Sequence, residues 1–458
     1  MRLGAAVLIS ALAAALGGCT VGPNYKRPPV DVPQTYNNAP AGQNQSDGSL
    51  GDEKWWALFQ DQELQRLIRT GLQNNYDVRI AASRILQAQA QAGIARANEF
   101  PSISAGPQLT SERVPGFTLS YFQLGALVSW NVDFWGQYRR ATEAARANLL
   151  ASAWSRQEVI GTLISNIAAA YFELRELDLE LEIAKNTLAS RRESLALTNT
   201  LANGGAAGLV DVRQAEQLVE TAAESIPDTE RQIAQQEDLI STLIGDNPHA
   251  IPRGLPITDQ PTPPEVPAGL PSRLLERRPD IRAAEEQLAA DTANIGVARA
   301  ALFPNLPLTG GAGVASRSLT GLFTGPVAGW DLTAPLTQPI FEGGRLRSNL
   351  RLSQAQQQQA LLTYKQTIQT AFRQVSDALV AYAKYRDFGA HQEALTAAAK
   401  DGARLSDLRY RGGATSYLEV LTSQTNWFAA QLNLARARLN ERLSLVQLYA
   451  ALGGGWEQ

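Results

Sequence analysis

The chain has 458 residues, a formal net charge of −3 and charged side chains at 19% of its positions. Nothing in the sequence indicates a nucleic-acid partner, because its Arg and Lys residues form no basic run and lie scattered among acidic ones. The two histidines, His249 and His391, are far apart, and neither has a neighbour at the spacing of metal ligands. We therefore expect no metal site, no catalytic constellation and no enzymatic activity.

The N-terminus has the features of a bacterial secretion signal. An apolar stretch from Leu3 to Leu16 follows a basic start, is short for a membrane span, and ends at small residues that resemble a lipobox before Cys19. We expect residues 1–18 to be a signal peptide and Cys19 to carry a diacylglycerol and an N-acyl chain, with no other cofactor. Thr20 favours the outer membrane, since Asp at this place retains lipoproteins at the inner membrane. A plain signal peptide with a cysteine nearby is the alternative.

Helical and strand patterns alternate after the signal. Residues 19–54 are rich in Pro, Asn, Gly and Gln and predict an extended tether with little core of its own. A first repeat at residues 55–245 begins with a helical block from about Trp55 to Asn98. Residues 102–135 then change to a period of two, which predicts a strand pair with its turn near Val114-Pro115-Gly116. The apolar positions of the second strand are Phe122, Leu124, Ala126, Val128, Trp130, Val132 and Phe134.

A long helix is predicted from Gln137 to about Ala202, because this stretch lacks proline and its apolar residues step by three, four and seven positions. Such a helix spans roughly 100 Å. A Gly-Gly pair ends it, and a return helix follows at about Leu209–Ile244, with a kink expected at Pro227. The seam of the long helix consists of Ile160, Ile164, Ile167, Tyr171, Leu174, Leu181, Leu188 and Leu195.

The second half of the chain repeats the first. Short motifs return in the same order at an almost constant offset: Ile94-Ala95-Arg96-Ala97 as Val297-Ala298-Arg299-Ala300, Phe100-Pro101 as Phe303-Pro304, and the Gly204-Gly205 tip as Gly412-Gly413. The predicted segments are a proline-rich connector at 246–271, a second repeat at 272–452 with a strand pair at about 305–341, a long helix at Arg345–Arg411 and a return helix at about Ser416–Leu452, and a tail at 453–458.

The alternating strands are compatible with two architectures, a membrane barrel and a soluble sheet. No apolar run after the signal is long enough for a membrane helix, so strands alone could cross a bilayer. Two strand pairs per chain leave open edges, and closed barrels need about eight strands or more, so several subunits would have to share one barrel. A soluble two-layer sheet with one buried face is the alternative, because it gives the same alternation.

Several motifs in order resemble the TolC-like outer-membrane factors, specifically the NodT-type lipoprotein branch of tripartite efflux systems. They are Cys19 with Gly22-Pro23-Asn24-Tyr25-Lys26-Arg27-Pro28, Trp55-Trp56 with Phe59, Arg278-Pro279-Asp280-Ile281-Arg282, Phe303-Pro304, Phe341-Glu342-Gly343-Gly344-Arg345 and Tyr410-Arg411-Gly412-Gly413. The resemblance implies an α+β membrane protein that forms a homotrimer, with a twelve-stranded barrel in the outer membrane and a long periplasmic helical barrel. A small mixed equatorial domain would hold the tether, the connector and the tail.

The resemblance also implies a function. It predicts an export channel that passively conducts small molecules, such as drugs, organic compounds or metal ions, from the periplasm to the exterior. The implied partners are a periplasmic adaptor, an inner-membrane pump of the RND type and outer-membrane lipid. Two alternatives are an export duct for secreted polypeptides and a periplasmic coiled-coil scaffold without a pore.

Five residues at the hairpin tips are candidate functional residues by this resemblance. Leu418, Glu419 and Thr422 match a periplasmic gate, and Tyr410 with Asp211 matches a latch between the two hairpins. The sequence departs from relatives in two places, since Thr415 replaces a latch arginine and Thr422 replaces a ring aspartate. We expect Glu419 to contribute to a ring of carboxylates that favours cations.

The same residues have a simpler interpretation as helix caps. Ser416 and Glu419 have the spacing of a capping box, and Asp211 lies where a carboxylate favours a helix N-terminus. Gating and capping are compatible, so both predictions are kept.

Overall fold

The computed structural model describes residues 20–37, 48–261, 267 and 269–456. The helices are α1 Trp55–Leu58, α2 Gln62–Asn74, α3 Tyr76–Ala97, α4 Gln137–Asn203, α5 Leu209–Leu243, α6 Pro271–Arg277, α7 Pro279–Ala300, α8 Gly321–Thr324, α9 Arg345–Arg411 and α10 Tyr417–Ala451. The strands are β1 Ser102–Val114, β2 Phe117–Asn131, β3 Pro307–Ser316 and β4 Val327–Thr333.

The helices of the two halves match in length. The helices α3 and α7 have 22 residues each, α4 and α9 have 67 each, and α5 and α10 have 35 each. Both predicted long helices are confirmed, and α5 continues as one helix through Pro227. The predicted first helical block is divided into three helices, because Asp61 and Asn75 lie in non-helical conformation between them.

The four strands form one antiparallel sheet in the order β1-β2-β3-β4. Ser102 pairs with Ser129 at one end of the first hairpin and Val114 pairs with Phe117 at the other. The predicted turn is confirmed, and Gly116 adopts a φ of 97° there, a conformation that glycine accepts without strain. Strand β2 continues the sheet by pairing with β3, and β3 pairs with β4.

The last strand is shorter than the alternating pattern predicted. Strand β4 ends at Thr333, although the apolar alternation continues to Leu336. Pro335 has no amide hydrogen to donate to the ladder, which explains the end of the strand at this place. Pairing returns at Thr337, whose backbone exchanges hydrogen bonds of 2.9 and 3.0 Å with Asn305.

The chain divides into two compact units. The first holds the sheet and comprises the described residues up to Val30, Ser83–Trp154 and Arg282–Thr367. The second comprises Asp31–Ala82, Ser155–Ile281 and the described residues from Ile368 onward. Among the described helices, none is both long enough and apolar enough to cross a membrane.

Within the first unit, the N-terminal segment is extended but firmly attached. The backbone N–H of Val21 donates to Trp135 O at 2.9 Å, and Arg27 donates two hydrogen bonds to Glu285, at 2.9 and 2.7 Å. Gly22 passes so close to Gly296 that a Cβ on Gly22 would lie 2.5 Å from the Gly296 Cα. The predicted tether therefore packs closely against the fold from residue 20 to residue 27. Cys19 lies outside the described residues.

The core of the second unit follows the predicted seam of α4. Ile160, Ile164, Ile167, Tyr171 and Leu174 are all buried, with exposures of 0 or 1%. The hydroxyl of Tyr171 donates to the carboxylate of Asp61 at 2.9 Å. Through this hydrogen bond, α4 holds Asp61, the residue that precedes α2, in addition to supplying the buried apolar side chains.

Candidate functional site at the hairpin tips

The two hairpins turn in the same way. Each long helix ends at a glycine in left-handed conformation, Gly205 with a φ of 75° and Gly413 with a φ of 68°. The next residue of each tip closes the turn, since Ala206 N donates to Leu201 O and Ala414 N donates to Arg409 O, both at 2.8 Å. This is the Schellman arrangement, in which only glycine is free of strain at the left-handed position. The Gly-Gly pairs of the sequence therefore fix both tips.

The three gate candidates lie together at the start of α10. The Leu418 side chain is 57% exposed. Thr422 is also exposed, and its hydroxyl donates to Leu418 O at 2.9 Å. Glu419 is half-buried and accepts a hydrogen bond from Arg409 Nη1 at 2.9 Å and another from the Thr415 hydroxyl. The arginine therefore neutralises the one carboxylate among the candidates.

The predicted capping box at this tip is wrong. Ser416 occupies the N-cap position with extended backbone, but its side chain makes no capping hydrogen bond. The carboxylate of Glu419 binds Arg409 and Thr415 and does not bind the backbone of Ser416, because a charge-assisted bond to a guanidinium is stronger than a bond to an amide. At the other tip the capping prediction is confirmed, since Asp211 Oδ2 accepts from Gly208 N at 3.0 Å.

The predicted latch residues form no hydrogen bond with each other: the Tyr410 hydroxyl is buried without a hydrogen-bond partner among the described residues, and Asp211 accepts from Gly208 N. Burial raises the pKa of the Tyr410 hydroxyl, and the negative charge of Asp211 raises it further. The Tyr410 ring packs edge-on against Tyr417, with 5.2 Å between the ring centroids. The charge of Asp211 thus acts on Tyr410 without a hydrogen bond between them, and their role as a latch stays a prediction.

Tyr417 is the residue at this site that the sequence analysis missed. Its side chain is 1% exposed and packs in one cluster with Ala215 and Val420, against which Leu195 and Tyr410 also lie. These residues come from α4, α5, α9 and α10, so one aromatic side chain joins both hairpins. The available signal was the spacing of Tyr417 and Val420, which places two apolar residues on one face of α10.

A buried cation joins three of these helices further from the tip. Arg191 on α4 donates to Leu218 O on α5 at 2.7 Å. Its guanidinium lies 4.9 Å from the ring centroid of Phe428 on α10. Burial lowers the pKa of Arg191, which nevertheless stays charged because the ordinary value is far above neutrality. Within the described part of the chain, no group of three or more His, Cys, Asp or Glu side chains could hold a metal ion.

The pair of hairpins, each of two unequal helices joined to one sheet, agrees with known proteins. A model of a family described as outer membrane efflux protein matches residues 67–246 and 270–454. The chain belongs to this family. This outer membrane efflux protein is 36% identical over 453 residues to the probable efflux pump outer membrane protein TtgC of Pseudomonas putida. The aligned region covers 96% of this chain and 93% of the relative.

Two further relatives support the assignment. The cation efflux system protein CusC of Escherichia coli is 33% identical over 451 residues, or 98% of each chain. The open state of the MtrE outer membrane channel of Neisseria gonorrhoeae aligns with a TM-score of 0.88 and 32% identity, covering 96% of this chain and 99% of that one. The predicted family and the predicted location in the outer membrane of a Gram-negative bacterium are thereby confirmed.

Proposed function

We propose that this outer membrane efflux protein is the passive export channel of a tripartite pump and that it works as a homotrimer. The observation that carries the proposal is the family match over both halves, together with a sheet joined to helices of 67 residues. A periplasmic adaptor would contact the channel, and an inner-membrane pump of the RND type would supply the energy for export. The channel itself catalyses no reaction.

The sheet supports a shared barrel. Strands β1 and β4 are its two edges, and each has one unpaired side in a single chain. Unpaired backbone groups are not tolerated in lipid, so a membrane-spanning sheet must close. Three chains would close it with twelve strands. Large apolar side chains on the sheet are exposed in the single chain, as a lipid-facing or subunit-facing surface requires: Ile103, Leu109, Phe117, Val327, Trp330 and Leu332.

The cargo is proposed to be small molecules. Relatives carry names that refer to toluene, solvents, antibiotics and cations. These names cover drugs, organic compounds and metal ions, and they favour small cargo over secreted polypeptides. Because relatives of similar sequence serve such different cargo, the pump would determine specificity and the channel would be permissive.

A bilayer recording tests the channel against the coiled-coil scaffold. The purified full-length trimer should insert into planar lipid bilayers and give discrete conductance steps. A protein that stays soluble without detergent after Cys19→Ala, and gives no steps, would be a scaffold.

Lipidation of Cys19 is a separate part of the proposal. The attached N-terminal segment supports it, because Thr20 packs directly against Gly136 and so fixes the backbone beside the cysteine. We expect cells fed radiolabelled palmitate to label the wild-type protein and to leave Cys19→Ala unlabelled. Equal labelling of wild type and Cys19→Ala would contradict the proposed lipid anchor and would leave the proposed channel function untouched.

Glu419 is proposed to bias the periplasmic mouth toward cations, with Arg409 limiting that bias. Exposed ion pairs contribute about 0.2–1 kcal/mol, so we expect changes in ion selectivity of roughly 1.5- to 5-fold. Glu419→Gln should lower the cation-to-anion permeability ratio, and Arg409→Gln should raise it, since it leaves the Glu419 carboxylate unpaired. The measurement is the reversal potential in a salt gradient. Unchanged ratios in both variants would assign the pair to tip structure alone.

A further inference from the structure

Two buried carboxyl groups lie one turn apart on α4. Glu176 is 5% exposed and Glu180 is 8% exposed. Among the described residues one cation faces them, because Arg436 on α10 donates from Nε to Glu180 Oε1 at 3.1 Å. Two buried carboxylates and one arginine leave a negative charge without a partner, an arrangement that burial strongly disfavours.

The hydrogen bonding of the pair is also incomplete. Glu176 Oε1 is buried and accepts no hydrogen bond from any described residue. Two ionised carboxylates can only accept, so neither can satisfy the other. A single proton between Glu176 and Glu180 removes both defects, since it cancels the excess charge and makes one carboxyl group a donor to its neighbour.

Burial and the neighbouring carboxylates favour protonation of Glu176, and one arginine opposes it. On its own helix these groups are Glu180 and Glu173, and from α10 the group is Arg436. The α5 residue nearby is Gln236, a neutral side chain that donates to Glu173 Oε2 at 2.9 Å. Burial, together with the negative charge of Glu180, raises the pKa of Glu176 to about 8 against the opposing charge of Arg436.

We propose that Glu176 and Glu180 share one proton and that this proton holds α4 against α10. Loss of the proton leaves two like charges beside one arginine, so the contact between the first hairpin and the second loosens. The pair would make the helical part of the protein sensitive to pH. This inference concerns the packing of one chain and holds whether or not the protein conducts ions.

The sign of the effect follows from proton linkage. The folded state keeps a proton that the unfolded state releases above the ordinary glutamate pKa of 4.5. The unfolding free energy therefore falls as pH rises from about 4.5 to about 8, and the contribution of the proton is lost above that range.

The first test compares thermal unfolding of the purified full-length protein with that of Glu176→Gln, which imitates the protonated group. We expect equal Tm values at pH 5 and a Tm of the variant roughly 5–10 °C above wild type at pH 8.5. Glu182→Gln on an exposed part of α4 is the matched control and should follow wild type at every pH. Parallel curves for wild type and Glu176→Gln would overturn the shared proton.

The second test reports on the contact itself. Trypsin should cut at Arg436 and Arg438 only when α10 separates from its neighbours, so the cleavage rate follows the open population. At pH 8.5 we expect wild type to be cut about fivefold faster than Glu176→Gln, and at pH 5, where the group is protonated in both the closed and the opened state, we expect nearly equal rates. If wild type and Glu176→Gln are cut at equal rates at both pH values, although their Tm values differ with pH, then the proton does not hold α4 against α10 and the proposed contact is overturned.

Discussion

We expect Asp61→Asn to lower the unfolding free energy of the second unit by about 3–5 kcal/mol, because several buried donors lose the acceptor that the carboxylate provides and each loss costs about 1–3 kcal/mol. Asp61 is 1% exposed and has no direct access to water. Its Oδ1 accepts from the backbone N–H groups of Glu63 and Leu64 at 2.9 and 3.4 Å and thereby caps α2. A loss of this size should lower Tm by roughly 5–15 °C.

The contacts of the other carboxylate oxygen of Asp61 explain why asparagine, which is neutral and of the same shape, cannot replace it without a loss of stability. Oδ2 accepts from the Tyr171 hydroxyl at 2.9 Å, from Leu255 N at 2.8 Å and from Gln260 Nε2 at 2.7 Å. All five groups around the carboxylate are donors, so an amide NH2 in either orientation meets donors with its own hydrogens. At least two buried donors then lose their acceptor, and each loss carries a desolvation cost.

The matched control for this prediction is a neighbouring carboxylate. Asp259 is exposed, and its hydrogen bond comes from the adjacent Thr258 hydroxyl at 2.8 Å. Asp259→Asn makes the same chemical change at the surface and should leave Tm within about 1–2 °C of wild type. Circular dichroism melts of the detergent-solubilised proteins give both values. A Tm for Asp61→Asn as close to wild type as that of Asp259→Asn would show that the network contributes little.

Local patterns predicted the helices well, and they did not predict contacts between distant residues. The absence of proline and the apolar spacing gave both long helices almost to the residue. Asp61, in contrast, meets Tyr171 and Gln260, which are 110 and 199 positions away, and no periodicity encodes such a meeting. The end of β4 was mispredicted because apolar alternation continues through Pro335, whereas the hydrogen-bond ladder does not.

At the hairpin tips, too, the local pattern was predicted correctly and the longer-range contact was not. The Gly-Gly pairs predicted where the long helices end, because left-handed termini select glycine. The capping box failed at Glu419, because the spacing of Ser416 and Glu419 does not reveal that Arg409 reaches the same carboxylate from the preceding helix. Competition between a local and a longer-range partner can be decided only in the folded chain.

We expect Tyr417→Ala to separate the two hairpin tips. Removing a fully buried aromatic side chain costs about 3–5 kcal/mol, and here the loss falls on one small cluster at the ends of the helices. The tips would open locally while the rest of the fold remains intact, since helix ends are the regions of lowest local stability. Trypsin cleavage at Arg409 and Arg411 should accelerate by roughly 100- to 1,000-fold in the full-length protein.

Two further variants separate packing from gating. Tyr417→Phe keeps the ring against Tyr410 and should be cut at nearly the wild-type rate. Leu418→Ala removes a side chain that is 57% exposed, so it should not change the cleavage rate, even though Leu418 is a gate candidate. If Leu418→Ala changes conductance and leaves cleavage unchanged, while Tyr417→Ala changes both, then the exposed residue lines the opening and the buried one holds it closed. Equal cleavage of Tyr417→Ala and wild type would mean that the tyrosine does not join the hairpins.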